Sequence, residues 1–113
     1  MSIPDWIESY PGAVTVTDTE HQIIYMNQAA AVAFADDGGK ALVGTNLLTC
    51  HNPESRGIIE RLLRDGAENL YTVEKQGKKR LVHQVAWRDQ RGEIGGLIEI
   101  TLSLPKGLPN KVR

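Results

Sequence analysis

Three histidines and one cysteine are the residues of this 113-residue chain whose chemistry reaches beyond packing. The densest group is Cys50-His51-Asn52-Pro53. An imidazole ligates a metal through a nitrogen lone pair, and a thiolate does so through sulfur. The same residues also make an ordinary helix start, with Asn52 as cap and Pro53 as the first helical residue, and then Cys50 is a small buried apolar side chain. His83, in the run LVHQVAWRD, is the second imidazole. A period of two sets Leu81, His83, Val85 and Trp87 on one strand face, and Val82, Gln84 and Ala86 on the other. The face with Trp87 is the more apolar and is expected to look inward. That would make His83 an interior group able to bind a ligand carboxylate or to titrate near neutral pH. The alternative is a partly exposed strand histidine held by a neighbouring backbone group. His21 lies in a polar turn beside Glu20 and is expected to face solvent.

Several chemistries are excluded on spacing. The one cysteine has a single adjacent histidine, so no set has zinc-ligand spacing. A hydrolytic nucleophile needs a base oriented by a third group, and Cys50 and His51 are merely sequence neighbours, so a hydrolase is discounted. Gly38-Gly39 lacks the Lys-Ser/Thr of a phosphate loop. The strip QGKKR at 76–80 reads as a solvated hairpin tip. With 13 Lys and Arg against 14 Asp and Glu, the formal charge of -1 leaves no electrostatic footprint for nucleic acid. No run approaches the roughly 18 consecutive apolar residues of a membrane helix. The N-terminus lacks a basic start and an apolar h-region, and a lone cysteine forms no internal disulfide, so a cytoplasmic setting is expected. The Met start and unpatterned tail favour a complete short protein, although a piece of a larger sensor would look the same.

The elements that must position these residues are short. Ile3, Trp6, Ile7 and Tyr10 recur at helical spacing around Asp5 and Glu8, so residues 1–11 read as an N-terminal cap or dimerisation helix. Such a helix is marginal alone and docks on the domain's own sheet or on a second copy. Ala13–Thr17 and Gln22–Met26 are β-branched strands joined by the polar turn at 18–21. Asn27 is spaced to cap the alanine-rich helix NQAAAVAFA, which Asp36-Asp37-Gly38-Gly39 ends. LVGTNLLTCHNPES is irregular, with Gly44 as a hinge and one short turn around Leu47. After Pro53, Ile58, Ile59, Leu62 and Leu63 line one helical stripe, which Gly66 stops. Leu70–Lys75, Arg80–Arg88 and Ile94–Leu104 follow as strands, and residues 105–113 form an exposed tail. Strands split around a helical block predict an α+β fold: one five-stranded antiparallel sheet cupped around short helices. Such a cup is a natural small-molecule pocket, and its outer face is expected to offer Val82 and Ala86 to the terminal helix.

VTDTEHQIIYMNQAA resembles the opening of a PAS domain, through Asp18, Ile23, Asn27, Ala29 and Ala30. LVGTN resembles that family's glycine-containing segment before the pocket helices, through Gly44. WRDQRGEIGGLIEI resembles its closing hairpin, through Arg88, Asp89, Gly92 and Gly96. The resemblance spans about residues 12–104. It implies a PAS-like signal-sensing module rather than an enzyme, with a small apolar or acidic ligand in an apolar pocket. Signalling would pass through a homodimer or a separate partner. Family members also hold haem, flavin or nothing. Flavin photosensors of the family carry G-x-N-C-R-F-L-Q; here Leu47 stands where that Cys would be and Cys50 lies three residues later, which argues against flavin adduct chemistry. Some members hold haem b by one His on the short helix before the long one, about where His51 falls. His51 is then the axial ligand of a gas or redox sensor, with Trp87 or His83 as donor to the bound gas. A ligand-free dimerisation module is the third reading.

Overall fold

The structure is a computed structural model that describes residues 3–113 apart from the side chain of Cys50. The readings of that side chain as a thiolate ligand or a buried apolar group therefore fall outside the described residues. Helix α1 (Asp5–Glu8) precedes strands β1 (Ala13–Thr17) and β2 (Ile23–Met26), then helix α2 (Gln28–Ala33). Three 3₁₀ turns, Ala35–Asp37, Gly39–Leu42 and Leu47–Cys50, lead to helix α3 (Pro53–Asp65). Strands β3 (Glu68–Lys75), β4 (Lys78–Arg88) and β5 (Ile94–Leu104) complete one antiparallel sheet in the order β2-β1-β5-β4-β3. The expected α+β fold is the observed one.

Short polar side chains place the turns. Asp18 Oδ1 accepts from the backbone N–H groups of Glu20 and Gln22, and Asp89 Oδ1 does the same for Arg91 and Glu93. Asn52 Oδ1 accepts from Ser55 N at 2.8 Å and starts α3, with Gly66 in the left-handed region at its end. Asn27 does more than the helix start expected of it. Fully buried, it accepts from Ala30 N at 3.0 Å and Val14 N at 2.9 Å, and donates to the carbonyls of Ile7, Tyr10 and Gly12. One amide therefore both starts α2 and fastens the segment ahead of β1. Helix α2 ends before Phe34, earlier than the alanine run suggests, because the chain folds back through Gly38 and Gly39 so that Phe34 and Leu42 meet the core.

That core joins Ile23, Met26, Ala30, Leu47, Ile59, Leu62 and Leu97. Leu97 pairs with Ala86 across β4 and β5, so Val82, Gln84 and Ala86 face the helices. Leu81, His83, Val85 and Trp87 face outward. The expected period of two is present, but the expected faces are exchanged. Trp87 lies on the outer side over Gly95, where a Cβ would come within 2.3 Å of its ring, and donates its indole N–H to Thr17 O at 2.9 Å. Val82 and Ala86 thus do not offer an outer docking surface. His21 also departs from expectation: it is half-buried with φ 67°, because Leu47 N donates to His21 O and folds the following loop onto the turn. Helix α1 is a single turn tied down by its Ile7 carbonyl and Glu8, while Trp6 remains 73% exposed and Ile3 50% exposed.

A candidate ligand site on the inner face

Strand register assembles the site. Thr15 of β1 pairs with Glu99 of β5, Glu99 with Gln84 of β4, and Gln84 with Asn69 of β3. Matched positions share a face, so a polar row crosses the inner surface of the sheet. Asn69 Nδ2 donates to Gln84 Oε1 at 2.9 Å, and Gln84 Nε2 donates to Glu99 Oε2 at 2.8 Å. The directions follow from the carboxylate, which only accepts: Gln84 must turn its nitrogen to Glu99, so its oxygen faces Asn69. Gln84 is only 4% exposed, which makes these bonds necessary to its burial. Tyr71, two residues from Asn69 on the same face, has its hydroxyl pKa raised, first by burial and then by the Glu99 charge.

Two cavities flank the row. Between α3 and strands β3 and β4 lies a groove of about 400 Å³, lined by Glu54, Ser55, Ile58, Asn69, Tyr71 and Gln84. On the other side, a cavity of about 20 Å³ touches Glu99 and His51 among apolar side chains that include Ile23, Met26, Phe34 and Leu42. The groove falls within the size range of small-ligand sites, whereas the second cavity has room for about one water.

The three residues anticipated as a pocket do not come together. His51 does line the small cavity. Its Nδ1 lies 2.9 Å from Leu47 O and donates its N–H there, which leaves Nε2 as the nitrogen outside that bond. That orientation would suit a metal ligand. The space does not fit haem, which needs at least several hundred Å³. His83 lies on the outer face, its Nε2 2.7 Å from Glu68 Oε2, and Trp87 is outside as well, so neither reaches a gas bound beside His51. Glu99, Gln84, Asn69 and Tyr71 were missed. They look like ordinary alternation within their own strands, and only the register set by the two hairpins aligns them. Among the described residues no group of three or more His, Cys, Asp and Glu could hold a metal ion, and no helix is long and apolar enough to cross a membrane.

A five-stranded antiparallel sheet, with α2 and α3 packed on one face over a polar-floored groove, defines a small α+β domain. A family model described as the PAS fold matches residues 7–104, and the chain belongs to the PAS family of sensory modules. Solved structures share the fold. A C-terminal domain from Streptococcus mutans is 23% identical with a TM-score of 0.68, over 86% of this chain and 78% of that one. The Vibrio cholerae VqmA dimer, solved in the absence of target DNA, is 17% identical with a TM-score of 0.71, over 91% of this chain and 52% of that one. This chain thus spans about half the length of VqmA, which has also been solved bound to DPO. The Vibrio cholerae Aer2 receptor, described as a dual PAS-heme oxygen sensor, is 23% identical with a TM-score of 0.62, over 83% of this chain and 95% of that one. No curated protein sequence is significantly similar to the chain.

Proposed function

We propose that this chain is a non-catalytic sensor domain. It binds a small molecule in the groove between α3 and strands β3 and β4, and signals by contact through the outer face of its sheet. The observation that carries this reading is the Asn69–Gln84–Glu99 row beneath a groove of about 400 Å³. A core built for stability alone gains nothing from such a row, since an apolar one of equal shape would hold the sheet at least as well. Signal output is assigned to the opposite face, where Leu70, Leu81, Ile100 and Leu102 line an outer cavity of about 300 Å³ together with Tyr10, and Trp6 of α1 stands exposed. A second copy of the chain is the simplest surface to cover it. Haem is no part of this reading, because the cavity beside His51 holds only about 20 Å³.

The test is ligand release. Purified protein is denatured and the released material measured by mass spectrometry, alongside a Tyr71→Trp variant whose larger ring fills the groove. A compound released by wild type and lost from the variant is the expected result. A wild-type protein that releases nothing and still dimerises would instead identify a ligand-free dimerisation module.

A further inference from the structure

We propose that the groove selects a small nitrogen compound that donates N–H groups, such as an amidine or an amino-heteroaromatic, and rejects acids. This rests on the groove being the ligand site, and it reverses the acidic ligand anticipated from the sequence. The reason is the fixed direction of the polar row. Glu99 can only accept, so Gln84 gives it an N–H; Gln84 then presents oxygen to Asn69, and Asn69 must give an N–H in turn. Both ends of the row are left with acceptors. At one end is the second carboxylate oxygen of Glu99, a residue that lines the small cavity beside His51, and at the other is Asn69 Oδ1, whose residue lines the groove. Among the described residues no donor is placed on either.

The groove's own lining adds acceptors. Glu54 brings a carboxylate to the groove, and no Lys, Arg or His lines it; Arg61 and Arg64 line the neighbouring depression that shares Glu54 and Ile58. On the far side of Glu99, His51 commits its Nδ1 hydrogen to Leu47 O rather than to the carboxylate. Tyr71 and Ser55 supply hydroxyls that donate or accept as the ligand requires. An acid entering the groove would set its charge against Glu54 and leave the Glu54 oxygens and Asn69 Oδ1 without donors. An N–H donor satisfies them with charge-assisted hydrogen bonds, the stronger kind, while Ile58 covers its apolar side.

The experiment is calorimetric titration of the full chain with benzamidine as donor probe and benzoate as its acidic counterpart. Benzamidine is expected to bind at least tenfold more tightly than benzoate. Glu54→Gln removes the groove's own carboxylate and should reduce that preference at least tenfold, with an unchanged circular dichroism spectrum showing that the variant is folded. Benzoate binding as tightly as benzamidine, with both probes lost in Tyr71→Trp, would overturn the donor preference and leave the groove reading standing. If neither probe binds saturably, or if Tyr71→Trp binds them as wild type does, the groove reading itself falls and this inference with it.

Discussion

The two faces of this sheet are built by opposite rules. The inner one, packed against helices, carries Thr15, Glu99, Gln84 and Asn69 in one row. The outer one, covered only by the short α1 segment, carries Leu70, Leu81, Val85, Ile98, Ile100 and Leu102, with His83 and Glu68 as a polar pair among them. An antiparallel sheet with one solvated face ordinarily turns polar side chains outward; here Met26, Val82 and Leu97 keep the inner face apolar around the row, and the outer face is apolar as well. Both departures, the polar row within the inner face and the apolar outer face, are accounted for by the proposed sensor reading. Inward acceptors call for donors from a ligand, and outward apolar side chains call for a covering surface. Sensing and output would then lie on opposite sides of the same strands, only a side chain apart.

The sharpest way to break that contrast uses two adjacent residues of β4. Gln84→Val strands Asn69 Nδ2 and Glu99 Oε2 and is expected to cost about 2 kcal/mol of stability. His83→Val removes a pair whose side chains are 34% and 62% exposed, and is expected to stay within about 0.5 kcal/mol of wild type. Urea denaturation with unchanged slopes measures both, and equal costs would erase the distinction between the faces.

The next test concerns the outer face directly. Trp6 is 73% exposed, so it adds little to the fold of one chain and is free to be buried between two. Trp6→Glu is expected to weaken the dimer at least about tenfold, roughly 1.4 kcal/mol, in sedimentation equilibrium while leaving the fold intact. Wild-type protein that stays monomeric at high concentration would overturn the dimer reading. The Gln84 and His83 comparison is best made in this monomeric background, where association does not add to apparent stability.

The alternation of β4 was legible in the sequence, and its phase was not. Phase was assigned by putting the more apolar set, with Trp87, inside; that rule fails where an interior row is polar by purpose and an exterior one apolar. The hairpin turns at 76–79 and 89–92 hold the missing signal. Once they fix register, Glu99 falls opposite Gln84 and Gln84 opposite Asn69, and a lone glutamate in IEITL becomes the end of a chain of amides. Local signals fared better. Asn52-Pro53 starts α3 and Asn27 caps α2 as spacing requires, because a cap reaches only three residues. The bonds from Asn27 to Ile7, Tyr10 and Gly12 were invisible, since they depend on how the chain returns across the sheet.

The smallest expected effect tests what holds α1 against the outer side. Tyr25 shares the face of Val16 and donates its hydroxyl to Glu8 Oε2 at 2.6 Å, while Lys40 Nζ donates to Glu8 Oε1 at 2.9 Å and lies 5.5 Å from the centre of the Tyr25 ring. Burial, then the hydrogen bond to Glu8 and its charge, push the Tyr25 hydroxyl from its ordinary 10.0 up to about 12. The bonds from Tyr25 and then Lys40 hold the Glu8 carboxyl below its ordinary 4.5. A raised acid adds stability that is full below pH 10.0 and lost as pH climbs through about 12. A lowered carboxyl adds stability present above pH 4.5 and lost as pH falls through its depressed value. Helix α1 therefore stays docked across the neutral range. Subtracting the phenolate absorbance titration of Tyr25→Phe from that of wild type should reveal a midpoint near 12. In Glu8→Gln the midpoint should fall toward 10.0 without reaching it, because burial, the largest cause, survives the substitution. An unchanged midpoint would mean that Glu8 does not hold Tyr25 in solution, and α1 would then depend on Lys40 and the Asn27 bonds.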